Sequence, residues 1–501
     1  MSKVPVYLKV SFVNKDELIP KLKEILKASD FCDEEPSIPE QLEKLIANFK
    51  KDIQFVLESP YVDRHYRDTY YSFHSSKFKK TGRNCIRVHL FEGKITQNDL
   101  FNKDINLDER YWGFFIIRPL PLYILGRSLI SPKALETNNF ICCLMKTRVS
   151  LLGNEFAAYG FPHIAQDTET HTCAESALWN YVEYFGQKYH RYKPLLPSQI
   201  VTTLLDSEHR ILPSEGLTEK ELAKCLNVNG FQCLIYYAAN SSDTDTFFQL
   251  LRIYIESGIP LLLKLANDEN AHAILVIGHE IDNSLYDAKK LFRSKNNMWV
   301  DVSLIDKKFV FMDDNLPPYK IATLSKPTTH YSDPKMKNLT IKAFIVSLPV
   351  HMFLVAEKAC ALMQKIFKDP EVGLQKLDGK WVSRLLLTGN HSFKKFIYDH
   401  NDTMPNIIRE GLLSLALPRF IWIAELYKEQ RFNLNGFCSG LLIIDATSNG
   451  KTPASVLWYM VDNHLFIYDN GAWDNGLDRK EPFRMNTYRN NLKGEWNQWK
   501  S

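Results

Sequence analysis

Apolar residues recur along this chain in two rhythms, one of helical period and one that alternates. In "SIPEQLEKLIANFKKDIQFVLES" Ser37 stands as a capping residue with Glu40 three positions later. Leu42, Leu45, Ile46, Phe49, Ile53 and Val56 then fall on one face, which predicts an amphipathic helix running through Val56. "NCIRVHLFEG", "YWGFFIIRPLP" and "NNFICCLMKTRVSLLG" follow as short β-rich runs bounded by Gly, Pro and Asn. From about residue 155 the rhythm turns helical. "AESALWNYVEYFGQKY" carries Ala177, Leu178, Tyr181, Val182 and Phe185 on one stripe, "LTEKELAKCLNVNG" ends at Gly230, and "DTFFQLLRIYIESGIP" is closed by Gly258 and Pro260. "PLLLKLA", "HAILVIGHE" and "KFVFMDD" then read as strands, two of them apolar enough for burial on both faces, with the charged "DAKKLFRSKNNMW" as an insertion or long hairpin.

Beyond about 335 "IKAFIVSLPVHMFLVAEKACALMQKIFKD" reads as strand then helix. The close is β-rich, with turn signals at Asn449-Gly450 and Asp469-Asn470-Gly471. The pattern predicts a multi-domain α+β protein: an α+β domain over 1–150, a helices-first, sheet-second domain over 151–335, and an α+β domain over 336–501, placed for binding substrate or partner. A length of 501 residues fits more than one core.

Composition narrows the function classes. Apolar residues at 45% and charged residues at 24% are an ordinary globular balance. A net charge of +4 gives no long-range pull on nucleic acid or anionic membrane, and "KFKKTGR" at 77–83 reads as a solvated loop. The N-terminus has no secretory pattern, and "GFFIIRPLPLYILG" is broken by Arg118 and two prolines, so the expectation is a soluble, cytoplasmic protein with no membrane and no nucleic-acid partner. Nine cysteines without metal-type spacing are expected as free thiols.

One cysteine has a distinctive setting. In "QDTETHTCAESALW" Cys173 immediately precedes a predicted helix, whose first turn presents unpaired N–H groups that favour a thiolate. A base is supplied by His272 at the start of a buried strand, with His279 on the opposite face seven residues on. An orienting carboxylate lies in "KFVFMDDN". Adjacent residues alternate faces, so one aspartate meets the histidine; Asp314 is chosen, with Asp313 as the alternative. Gln166, seven positions before Cys173, offers an amide to a developing oxyanion.

These segments, with "GLTEKELAKCLNVNG" and "SGIPLLLKL", resemble a papain-like cysteine peptidase. The resemblance is closest to the bacteriocin-processing, double-glycine-leader peptidase branch and its bacterial relatives, and covers roughly a third of the chain. In that branch a glutamine precedes a Cys-Gly-Pro-like helix start, one strand begins Gly-His, and a later strand ends Asn-Asp-Pro. By position these match Gln166, Cys173, His272 and Asp314. Ala174-Glu175 stands in place of Gly-Pro, and Ala271 in place of the glycine. The resemblance implies a central domain whose helical half carries the cysteine and whose antiparallel sheet carries the histidine and aspartate. It also implies thiol hydrolysis of a peptide or protein substrate with no cofactor and no metal.

Other readings stand beside it. The same residues suit deamidation or transamidation of a protein, and Ala174-Glu175 suits a catalytically inactive binding or regulatory module. The flanking domains suit a regulatory protein partner. His163, His171 and Cys173 fit no common zinc spacing, and His171 is expected at the cleft mouth. "YVDRHYRDTYYSFHSSKF" reads either as a recognition surface for a peptide or phosphate-bearing ligand, or as a half-buried amphipathic helix.

Overall fold

The computed structural model describes residues 7–28, 38–78, 81–102, 105–120, 125–167, 172–205, 217–240, 244–281, 298–350, 352–401, 404–429, 436–449, 453–469, 471–474 and 482–494. The chain is α+β, and its contacts group into two units. One comprises residues 1–235, 262–276 and 310–345, the other residues 236–261, 277–309 and 346–501. Ser37, Lys79, Lys80, His171, Gly450, Asn470 and most of the predicted insertion lie outside the described residues. Among the described residues, no helix is long and apolar enough to cross a membrane.

The first unit opens with a seven-stranded antiparallel sheet. Its order is Lys9–Val13, Ile53–Tyr61, Cys85–Glu92, Tyr111–Ile117, Leu125–Ile130, Asn154–His163 and Met145–Leu151. The single helix expected through Val56 is instead a helix over Glu40–Ala47 followed by the Ile53–Tyr61 strand. The break has a physical cause. Lys50, Lys51 and Asp52 make a polar turn, and beyond it Ile53, Phe55 and Leu57 alternate along a strand, so only the spacing of Ile53 and Val56 mimics a helical face. The sheet curls on itself: Arg87, on its third strand, donates to the carbonyl of Ser150 on its last. Arg87 also pairs with buried Glu58, whose other neighbour is His89, 3.2 Å away. The expected boundary near 150 falls at the hairpin joining the last two strands of this sheet.

Three helices follow, Cys173–Lys188, Pro197–Leu205 and Glu219–Val228. The first is buried from Ala174 through Phe185. Its Gly186 lies against Pro194, where a Cβ would meet the proline nitrogen at 2.6 Å, so glycine permits the close approach. The helix Arg64–Ser72 in the tyrosine-rich segment is amphipathic and half-buried. Asp63 caps it, and Asp68 accepts from the backbone and hydroxyl of Ser198, both at 2.8 Å.

A second sheet runs Lys320–Thr323, Lys308–Met312, Ala271–Glu280, Leu261–Ala266, Thr340–Leu348, Gln232–Tyr237. Thr340–Leu348 pairs antiparallel with Leu261–Ala266, so residues just past 335 join a sheet whose other strands precede them.

The second unit holds a third seven-stranded sheet: Trp299–Asp301, Trp381–Gly389, Phe420–Lys428, Gly440–Asp445, Val456–Val461, His464–Asp469 and Ala472–Asp474. The first pair is parallel and the others antiparallel. Helices Asn390–His400 and Asn406–Ser414 bring Phe393, Ile397, Ile408 and Leu412 into one core with Val382, Leu386, Ile421 and Ile423 of the sheet. A buried ionic network sits in the same unit. Glu256 receives Lys307 at 2.6 Å and Arg384 at 3.1 Å, with His279 Nε2 at 2.9 Å, while Arg384 also donates to Glu425 at 2.8 Å. Burial opposes charge on Glu256, yet Lys307, His279 and Arg384 together hold its carboxyl well below the ordinary range. Removing Arg384 leaves buried Glu425 without its cation and takes one of two from Glu256. R384M is therefore expected to cost about 3–5 kcal/mol, read by chemical denaturation of the full chain; a loss under about 1 kcal/mol would show that the network is open to water.

Candidate functional site

Cys173 is the first residue of the Cys173–Lys188 helix and is half-buried. Thr172 precedes it in extended conformation, and its backbone N–H donates to the Glu175 carboxylate at 2.9 Å. Glu175 thus satisfies one donor at the helix entrance and fixes where the helix begins. Behind it the helix is anchored by Trp179, whose indole donates to Leu195 O at 3.2 Å, and by Tyr184 stacked on Phe161 at 5.1 Å. The sulfur is therefore presented from a rigid element.

His272 is buried at the start of the Ala271–Glu280 strand. The neighbouring Lys308–Met312 strand delivers Asp313 and Asp314 just past its end. The histidine Nε2 donates to Asp313 Oδ1 at 3.0 Å, whereas Asp314 Oδ1 is 3.7 Å away. The orienting bond therefore falls to Asp313 and not to Asp314, the first choice from the sequence. The strand ends at Met312, so the alternation used to choose between the two does not extend to them. With Nε2 engaged, Nδ1 is left free of Asp313, and Cys173 is among the groups that act on the ring.

The turn carrying the two aspartates is tied down along its length. Asn315 N donates to Asp313 Oδ1 at 3.0 Å, His163 Nε2 to Asp313 O at 3.1 Å, and Gln41 Nε2 to Asp314 O and Leu316 O, each at 3.0 Å. Tyr319 adopts a φ of 63° and donates through its hydroxyl to Ile130 O at 2.7 Å. His163 thus braces the turn. Gln166 is half-buried, and its amide nitrogen donates to Asn315 Oδ1 beside the aspartates. The segment bearing it is fixed by Arg118, which donates to Ala165 O at 2.9 Å and pairs with Asp167 at 3.6 Å. Cys173, His272, Asp313 and Asp314 come together, and Gln166 is tied to the same turn; His279, at the far end of the strand, faces Glu256 in the second unit.

Tyr331 was not singled out from the sequence. Its hydroxyl lies 2.8 and 2.9 Å from the two Asp313 oxygens and 3.2 Å from His272 Nε2. It stands in a turn between short elements, where no periodicity marks it.

The electrostatics separate the groups. Burial pushes the His272 pKa down, but the charge and hydrogen bond of Asp313, the bond to Cys173 and the charge of Asp314 carry it well above the ordinary imidazole value. Burial works against the Asp313 carboxylate, and His272, Asn315 and Tyr331 outweigh it, lowering its pKa. Asp314 goes the other way. Burial, with the neighbouring Asp313 charge added, raises it to about 7 against the pull of His272. Both of its carboxyl oxygens are buried with no hydrogen-bond partner among the described residues.

His272, Asp313 and Asp314 are also close enough to offer three ligand atoms to a metal ion. The donor set fits that poorly: Asp313 already accepts from His272, Asn315 and Tyr331, and Nε2 carries the proton of the first of these bonds, so only Asp314 is uncommitted. What the arrangement does suit is a thiol, an imidazole and a carboxylate in hydrogen-bonded series.

The raised Asp314 pKa makes a linkage prediction. Between the usual carboxylate range and pH about 7 the folded chain keeps a proton that the unfolded chain has released, so this contribution to stability falls as pH rises. D314N lacks it. The melting temperature of the wild type relative to D314N is expected to decline from pH 4 to pH 8, by an amount equivalent to a few kcal/mol; a difference that stays level across that range would contradict a buried, protonated Asp314. Compared with known proteins, the chain significantly matches no protein-family model and no curated sequence.

Proposed function

We propose that this chain is a cysteine peptidase of papain-like type, acting on a peptide or protein substrate through Cys173, His272 and Asp313, with Gln166 as oxyanion donor. The observation that carries the reading is the buried His272–Asp313 hydrogen bond, with half-buried Cys173 acting on the same ring, all within one unit. A histidine with a raised pKa beside a thiol and held by a carboxylate is suited to take the thiol proton.

The Cys173 sulfur attacks the carbonyl carbon, and the electron pair moves to the oxygen, where a backbone N–H and the Gln166 amide receive it. On collapse the C–N bond breaks and His272 passes its proton to the leaving amine. Water then attacks the thioester while His272 takes its proton, and the acid product leaves the thiol restored. Asp313 keeps the ring oriented throughout and remains a carboxylate.

Iodoacetamide at neutral pH is expected to label Cys173 before the other cysteines; Cys85, Cys142 and Cys438 are buried, with thiols pushed well above the ordinary value by burial. C173A should abolish cleavage of a peptide library, read as new termini by mass spectrometry, and a chelator should leave cleavage unchanged. Labelling spread evenly over several cysteines, or cleavage by C173A, would overturn the assignment. Q166A is expected to slow turnover by about 10²–10³-fold while Cys173 is alkylated at the wild-type rate; unchanged turnover would remove Gln166 from the oxyanion site.

A further inference from the structure

Tyr331 sits where it touches both partners of the His272–Asp313 bond. Its hydroxyl has one proton, and both Asp313 oxygens lie within hydrogen-bond distance of it, at 2.8 and 2.9 Å. Burial, followed by the Asp313 charge, drives the phenol pKa far upward, so the hydroxyl keeps its proton. With that proton given to the carboxylate, the tyrosine oxygen can act only as an acceptor towards His272 Nε2, 3.2 Å away. Nε2 then faces two acceptors, Asp313 and Tyr331, and none that could donate to it. The Nε2 proton is thereby held between these acceptors, and Nδ1 is the nitrogen left to exchange a proton with Cys173. The tyrosine ring also meets the imidazole edge to face, at 6.2 Å between centroids.

We infer that Tyr331 is a positioning residue for the thiol chemistry, which keeps the Nε2 proton of His272 turned towards Asp313 and stabilises the Asp313 carboxylate through its hydroxyl. This rests on the reading of Cys173, His272 and Asp313 as a reacting series. Two other roles fit the contacts less well. Simple packing would not need the hydroxyl between two charged partners, and a general acid would need the proton that Asp313 takes.

The test uses the full chain and iodoacetamide, with the alkylation rate of Cys173 measured across pH by mass spectrometry for the wild type, Y331F, Y331A and H272A. The titratable groups around Asp313 are His272, Asp314, Tyr331, His163 at its main chain and, at longer range, Lys320. Only the hydroxyl differs between wild type and Y331F. Without that donor the carboxylate is less stabilised, so the acid limb of the profile is expected to move up by about half to one pH unit. At a fixed pH on that limb alkylation should slow by about three- to tenfold. Y331A should show the same displacement as Y331F, with both variants melting close to the wild type. A shift in Y331A alone would reduce Tyr331 to ring packing and overturn the inference, as would a wild-type profile in both variants while H272A is impaired. If H272A alkylates like the wild type, the reacting series itself fails, and the role of Tyr331 fails with it.

Discussion

A buried carboxylate survives as an anion only where donors surround it, and Asp313 is such a case. Its side chain is met by His272, by the amide of Asn315 and by the hydroxyl of Tyr331, and its carbonyl is met by His163. That concentration of donors sets the rest of the site. It draws the imidazole into a fixed orientation and supports a positive charge on it. It also leaves so little for the adjacent acid that Asp314 holds its proton up to about pH 7. Two carboxyls side by side in a dry site cannot both ionise cheaply, and the one that wins is the one with the hydrogen bonds.

Two of the buried ionic clusters among the described residues solve this problem in different ways. Around Glu256 in the second unit the charges close on one another: Lys307 and Arg384 meet both oxygens, and Arg384 continues to Glu425, itself bonded to the hydroxyl of Tyr427 and the amide of Tyr488. A network paired in this way is structural, and its loss is felt as stability. In the His272 cluster the tight pairing stops at Asp314, whose oxygens lie no nearer than 3.7 Å to the imidazole. A stable core does not gain from a buried acid pushed up to about 7, which is why the His272 cluster, and not the larger network, draws attention as a functional site.

The legible parts of the sequence were those governed by local rules. The stripe from Ala177 to Phe185 marks the helix that begins at Cys173, and the apolar run after His272 marks its strand; both elements are present. The choice between Asp313 and Asp314 was not legible, because the strand ends at Met312 and the two residues occupy a turn whose geometry depends on Gln41, His163 and Tyr319. Phe49 and Ile53 read as one helical face since a polar turn between helix and strand happens to preserve the spacing. The α+β class was legible from these runs, whereas the grouping into sheets was not. Hairpin registers such as Met145↔Gly160 and distant pairings such as Leu262↔Ile345 leave no trace in composition.

Tyr331 shows where such reading stops in principle. It lies 59 positions from His272 and 18 from Asp313 along the chain, in a stretch held by turns such as Tyr331 N to Thr328 O and His330 to Ile321 O. No helical or strand period passes through it, so nothing local distinguishes its hydroxyl from those of the other tyrosines. Its significance is created by the partners that folding brings to it. A carboxylate that needs a further donor and an imidazole that needs an acceptor are met by one oxygen, which can serve both because its single proton can point only one way.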